Sequence, residues 1–350
     1  MNVRIAVIGA GRMGTLHCRV LSEMPQVQLA CVVDTDPQAA EVLAEKYGSV
    51  ALNSAEQAVG EVDAAIVAVP TDAHVTAARP FVAAGKPVLI EKPIAPSSAQ
   101  AQTLIDLARQ AGTTVQVGHT ERFNPAVEAM RRFEIVPKFI QAHRISPFTF
   151  RSADVGVVLD MMIHDIDLVL MMVGAEPVDV LAVGVNVLGA PEDIANARLS
   201  FANGCVANLT ASRLAVKSER KMWIFSEQAY LSVDYGKKVG FVAKKSENLD
   251  LIQMARELDA KDLAEFAANV DYAKLPKIEQ LVVDETTEPL RRQAEAFYRC
   301  VAEGAEPVVS GSAGLAAVRC AEAITASIKS HRWDGQASDR AGLDIIRKDG

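Results

Sequence analysis

The stretch that decides the fold is Arg4-Ile5-Ala6-Val7-Ile8-Gly9-Ala10-Gly11-Arg12-Met13-Gly14, with Asp34 following at the end of the next apolar run. Residues 4–8, apolar after Arg4, predict a strand, and the amphipathic residues after Gly14, to about 23, predict a helix. Three glycines separate the two, each with a physical task. Gly9 permits a tight turn, Gly11 lets the backbone approach a pyrophosphate, and Gly14 lets the helix pack closely on the strand. The helix start at Arg12 and Met13 offers unpaired N–H groups and a positive dipole end to phosphates. A second strand over 29–33 ends in Asp34, placed to accept hydrogen bonds from ribose hydroxyls and to repel a 2′-phosphate. The expected cofactor is therefore NAD, while Arg12 and Thr35 leave NADP open.

Working outward, the alternation continues: helix 37–47, strand 64–69, helix 73–84, strand 88–90, helix 99–111, strand 114–117. Regular β-α alternation predicts a doubly wound parallel sheet (Rossmann) with a ligand crevice at the carboxyl ends of its strands. Those ends carry Val69-Pro70-Thr71, Glu91-Lys92-Pro93 and Gly118-His119-Thr120. Residues 1–120 are read as a dinucleotide-binding domain.

The 350 residues suit two domains, and the net charge of −8 argues against a nucleic-acid binder, which needs clustered cations. Five scattered cysteines without CxxC spacing predict neither a disulfide framework nor a zinc site, and fit a reducing cytoplasm. The N-terminal apolar run stops at Gly9, too early for a signal peptide. The apolar segment 157–173 carries Asp160, His164, Asp165 and Asp167, which would be costly in lipid, so it is read as a buried helix and not a membrane span.

Lys92, just past a buried strand, is placed to stabilise negative charge developing on a substrate oxygen, and an X-Pro bond there is a candidate cis peptide. Asp160 and His164, four apart, are expected on one helix face, with Asp167 near the same stripe and Asp165 pointing elsewhere. A histidine beside a carboxylate suits proton transfer, and the carboxylate can orient the ring. A structural His–Asp pair is the competing reading. A metal site is not expected, since the pair supplies only two ligands.

These pieces resemble the glucose-fructose oxidoreductase / inositol dehydrogenase (Gfo/Idh/MocA) family. The matching elements are Gly9-x-Gly11-x-x-Gly14, Ala68-Val69-Pro70-Thr71 followed by His74, Glu91-Lys92-Pro93, and Asp160-x-x-x-His164. The resemblance implies cofactor contacts at Val69, Pro70, Thr71, His74, Glu91, Lys92 and His119. It also implies that Lys92 contacts the reacting hydroxyl, His164 is the acid/base, and Asp160 positions the sugar or the histidine. It further implies a second α/β domain over 121–333, with an open, mostly antiparallel sheet that often mediates oligomerisation. Strands at 178–188, 195–201, 205–212, 221–226 and 229–234 and helices at 290–302 and 313–329 fit that plan. Residues 244–281 are read as an insertion and 334–350 as a tail.

A narrower likeness lies in Gly118-His119-Thr120-Glu121-Arg122-Phe123-Asn124-Pro125-Ala126-Val127 and in 162–168, which resemble the UDP-N-acetylglucosamine 3-dehydrogenase subgroup. That resemblance implies NAD-linked oxidation of a nucleotide-sugar hydroxyl, a partner aminotransferase, and substrate contacts at Arg122 and Asn124. The bland reading of those two is a turn in which Asn124-Pro125 opens a helix. A diphosphate would need cations, for which Arg144, Arg151, Arg213, Lys217, Arg220 and Lys221 are candidates. A free sugar, inositol or another polyol is the alternative substrate. A non-catalytic NAD(P)-binding sensor, or a reductase of an unsaturated bond, would share the scaffold without needing Lys92, Asp160 and His164 together.

Overall fold

The computed structural model describes residues 2–149, 155–188, 191–245, 276–333 and 342–343. The first sheet has six parallel strands: β1 (Val3–Ile8), β2 (Val27–Val33), β3 (Val50–Leu52), β4 (Ala64–Val67), β5 (Val88–Glu91) and β6 (Val115–Gly118). Their order is β3-β2-β1-β4-β5-β6, so the winding direction reverses between β1 and β4, where such sheets open a crevice. Helices α1 (Arg12–Ser22), α2 (Pro37–Tyr47), α3 (Ala55–Val59), α4 (His74–Ala83) and α5 (Ser98–Ala111) make the connections. Local chemistry explains their ends. Asp36 accepts from the N–H groups of Gln38 and Ala39, Pro37 fills the first turn of α2, and Gly48 closes it at φ 66°. The short β3 and α3 were not foreseen; the other elements fall within a few residues of expectation.

The second sheet has eight strands in the order β14-β13-β12-β11-β7-β10-β9-β8. They are β7 (Phe139–Ile145), β8 (Asp179–Val185), β9 (Ile194–Ser200), β10 (Val206–Ser212), β11 (Glu219–Phe225), β12 (Ala229–Asp234), β13 (Val239–Lys245) and β14 (Pro276–Gln280). Every neighbouring pair is antiparallel except β7 with β10. This is an α/β chain with a Rossmann sheet and a mostly antiparallel second sheet, as expected. β7, β13 and β14 were not foreseen.

Alternation gives the second sheet two unlike faces. Ile140, Ala142 and Arg144 of β7 are buried, as are Met222 and Ile224 of β11. Phe139, Phe225, Tyr230 and Phe241 stand on the opposite face as a chain of rings with centroids 4.9–5.7 Å apart. Helices α7 (Ile163–Val173) and α9 (Gly311–Ser330) join the principal core, with α6 (Pro125–Arg131) beside β12. Helix α8 (Pro289–Glu303) returns to the first sheet, where Leu290, Ala294 and Phe297 pack with Ile5, Val7, Leu21 and Met24.

The segment expected as one helix over 157–173 begins with a π turn, Val158–Met162, in which Ile163 N–H donates to the carbonyl of Val158. Of the 244–281 segment, 246–275 lies outside the described residues, while its flanks pair as β13 and β14. The 334–350 tail likewise lies outside them apart from 342–343. Among the described residues no helix is long and apolar enough to cross a membrane.

Candidate active site

The glycine turn is built as its sequence requires. Gly9 has φ +104°, and a Cβ there would sit 2.6 Å from the Ala68 carbonyl. A Cβ on Gly14 would lie 1.7 Å from the Gly9 carbonyl, so α1 approaches the turn as only glycine allows. A Cβ on Gly11 would meet nothing within 4 Å. That bare backbone, at the start of α1, is the open side of the cradle and fits a dinucleotide pyrophosphate. Arg12 is exposed and Met13 half-buried in the first turn of α1. Asp34 Oδ2 accepts from Ala10 N–H at 2.7 Å and Oδ1 from Asp36 N–H at 2.9 Å, which ties β2 to the turn; Thr35 is exposed beside it.

Val69, Pro70 and Thr71 follow β4 across the crevice edge. His74, at the start of α4, is buried, with Nε2 3.0 Å from the Val69 carbonyl and Nδ1 2.8 Å from the Pro93 carbonyl. It thus staples the Val69 turn to the Lys92 loop. Burial holds its pKa below the usual histidine value, so the neutral ring donates to one carbonyl at a time. The Lys92–Pro93 peptide is cis.

Glu91 does not reach the crevice with its carboxylate. Oε1 bonds Nε2 of His17 at 2.8 Å, and both side chains are buried. Burial pushes the Glu91 carboxyl up, but the His17 hydrogen bond and the nearby Lys92 charge bring it below the ordinary carboxylate value. His17 escaped the sequence reading; its place on the buried stripe Gly14-His17-Cys18-Leu21 was the available signal.

Lys92 Nζ donates to the main-chain oxygen of Asp160 at 2.7 Å and lies 3.4 Å from its Oδ1. Burial lowers the Lys92 pKa, opposed by Asp160 and Glu91. His164 Nδ1 is buried with no hydrogen-bond partner among the described residues. Burial, and then the positive fields of Lys92 and Arg144, hold the His164 pKa well below 6.5. The ring is neutral at neutral pH, the form that accepts a proton. No described carboxylate hydrogen-bonds this ring: Asp160 turns to Lys92, and Asp165 and Asp167 turn to arginines. His119 is fully buried, both its ring nitrogens lack a hydrogen-bond partner among the described residues, and burial lowers its pKa as well.

Two residues expected at the substrate serve the scaffold. Arg122 Nε and Nη2 donate to both oxygens of Asp167 at 2.7 and 2.6 Å. Asn124 caps α6 by accepting from Ala126 N–H, while its Nδ2 donates to Glu121 and to the Tyr235 carbonyl. Arg144 is spent likewise, on Asp165 at 2.8 and 2.9 Å and on Glu121 at 3.0 Å. Burial would lower its pKa, but the two carboxylates outweigh that and keep it charged. Arg213 is bound to Asp193 and the Val155 carbonyl. Arg151 lies outside the described residues. The two clamps, Arg144–Asp165 and Arg122–Asp167, hold α7 one and three residues beyond His164 and were invisible in sequence.

A dinucleotide cradle whose crevice also holds a lysine and a neutral histidine belongs to an NAD(P)-dependent dehydrogenase acting on a CH–OH group. Residues 3–119 match the oxidoreductase family with an NAD-binding Rossmann fold, GFO_IDH_MocA, and 129–232 match the GFO/IDH/MocA C-terminal domain. The UDP-N-acetylglucosamine 3-dehydrogenase of Acidithiobacillus ferrooxidans is 38% identical over 236 residues, 67% of this chain and 75% of that protein. Its solved structure superposes with a TM-score of 0.82 at 30% identity, covering 93% of this chain and 98% of the other. The inositol 2-dehydrogenase of Rhizobium meliloti is 26% identical over 342 residues, 95% of this chain and 98% of the relative. The chain belongs to the Gfo/Idh/MocA oxidoreductase family.

Proposed function

We propose that this enzyme oxidises the 3-hydroxyl of UDP-N-acetylglucosamine with NAD, giving a 3-keto sugar that a partner aminotransferase consumes. The observation that carries the proposal is Lys92 Nζ, beyond the carboxyl end of β5, held on Asp160 about one turn before His164 in the same helical segment. The likeness to the Acidithiobacillus enzyme, over 93% of this chain in structure, supports the choice of sugar.

Lys92 hydrogen-bonds the reacting hydroxyl and stabilises negative charge as its O–H bond breaks. His164 Nε2 takes that proton, and Asp160 holds the lysine and the ring hydroxyls in place. Bound NAD supplies the acceptor for the hydride leaving the same carbon. Gly9, Gly11, Gly14 and the start of α1 hold the pyrophosphate, Asp34 the adenosine ribose, and the Val69–Thr71 turn and His119 the nicotinamide side. The Asp34 carboxylate, already bound to two backbone N–H groups, favours NAD over NADP by repelling a 2′-phosphate. In this reading residues 1–120 bind dinucleotide in the cytoplasm, and 121–333 carry substrate and oligomer contacts. The aromatic open face of the second sheet, with Phe225, Val239 and Ile278 exposed, suits a second copy of the chain.

The internal use of Arg122, Asn124, Arg144 and Arg213 gives a second reading its footing: a neutral polyol needs none of them. Nicotinamide absorbance separates the two. The enzyme is mixed with NAD and UDP-N-acetylglucosamine, with and without a glutamate-dependent aminotransferase to trap the ketone. The proposal expects NADH that rises with the trap. A flat trace with turnover of inositol or a free sugar would replace it with the polyol reading.

A further inference from the structure

Resting on the nucleotide-sugar reading, we propose that Arg220 recognises the substrate diphosphate and makes the site selective for nucleotide sugars over neutral sugars. Strand register separates it from the other cations. On β11, Arg220 alternates with Met222 and Ile224, whose side chains are buried toward the helices, so it shares the face that carries α7. Lys221 points to the opposite, open face and pairs with Glu219. Across β7, Arg220 is the register partner of Arg144.

The two arginines have different fates. Arg144 is 4% exposed and saturated by Asp165 and Glu121, whereas the Arg220 side chain is 51% exposed. Its Nη1 is 3.8 Å from Glu121 Oε1, an oxygen already 3.0 Å from Arg144 Nη1. That contact is too long for a hydrogen bond, so Arg220 keeps its donor fork available. Its register partner Arg144 is clamped to Asp165, the residue that follows His164, so Arg220 stands on the strand beside that clamp. A guanidinium matches phosphate oxygens bidentately, which an ammonium does not. On a chain of net charge −8, a dianionic ligand needs such a local cation to approach.

The test uses two readouts: KM for UDP-N-acetylglucosamine in the trapped assay with NAD, and calorimetric affinity of the NADH-loaded enzyme for UDP alone. Arg220→Gln is expected to raise both constants by roughly tenfold to a hundredfold, the range for losing a charged hydrogen bond. It is also expected to flatten their rise with salt, while NADH affinity is kept. Arg220→Lys should recover part of the loss. Unchanged UDP affinity in Arg220→Gln overturns the assignment even if the sugar is oxidised normally. Arg220-dependent UDP binding without sugar oxidation leaves it standing and overturns the 3-hydroxyl reading instead. A wild-type enzyme that neither binds UDP nor oxidises the sugar overturns both.

Discussion

Gly11 and Gly14 sit three residues apart in one motif, yet the structure assigns them different consequences when each gains a methyl group. At Gly14 the new Cβ would lie 1.7 Å from the Gly9 carbonyl oxygen, about half a normal contact distance, so backbone must move. Overpacking of this kind costs about 1–3 kcal/mol, and the turn it displaces is the one proposed to cradle the pyrophosphate. Gly14→Ala should therefore lose both stability and NADH affinity. At Gly11 the Cβ would meet nothing within 4 Å, and φ −69° with ψ −167° suits any residue. The fold should hold Gly11→Ala to within about 1 kcal/mol, or roughly 2–4 °C in Tm. If phosphate oxygens pack against that bare backbone, the same methyl must weaken NADH by about tenfold or more, equivalent to ~1.4 kcal/mol. Thermal unfolding without ligand and a fluorescence titration with NADH measure the two effects separately. Gly11→Ala with wild-type NADH affinity would refute the placement of the pyrophosphate. Gly11→Ala as unstable as Gly14→Ala would refute the reading of the turn.

His164→Asn should abolish most turnover while NADH still binds, and normal turnover would remove His164 from the mechanism. Because burial and neighbouring cations push the His164 pKa well below 6.5, kcat/KM should stay level as pH falls through 6.5 and decline only below it; a titration centred at or above 6.5 would contradict this. The same direction governs stability: His74, His119 and His164 all have folded pKa values below the unfolded one. Below about pH 6.5 the unfolded chain binds protons that the folded chain refuses. Stability should then fall by up to about 1.4 kcal/mol per pH unit for each histidine, read as Tm between pH 7 and 5. Asp165→Asn leaves the buried Arg144 with Glu121 alone and should cost about 3–5 kcal/mol in a urea melt; a loss under about 1 kcal/mol would show that the clamp matters little.

Local signals made much of the first sheet legible. Helix α2 was readable because Asp36, Pro37 and Gly48 mark both its ends, and the glycine turn because each glycine answers a separate steric demand. Strand β7 escaped because His143 and Arg144 interrupt its apolar pattern, and its pairing with β10 joins residues more than sixty apart in the chain. The second sheet's edge, β13 with β14, brackets a charged segment that gives no strand signal. Long-range pairs account for the site's surprises. Arginines suit substrate phosphate by type, but Arg122 and Arg144 meet Asp167 and Asp165 once α7 is laid beside them. The Glu91 carboxylate turns to His17, seventy-four residues earlier, and not to the crevice. Spacing of four placed Asp160 and His164 on one helix, yet the π turn and the Lys92 contact are products of packing that no periodicity encodes.

The central claim, removal of hydride from C3 of a UDP-amino sugar, is tested most directly with substrate carrying deuterium at C3. In a single turnover with NAD and the aminotransferase trap, the nicotinamide product is isolated and weighed by mass spectrometry. The account predicts that the reduced dinucleotide carries the deuterium. Unlabelled NADH from that substrate would place oxidation at another carbon, and no NADH, with turnover of neutral polyols, would give the enzyme a different substrate.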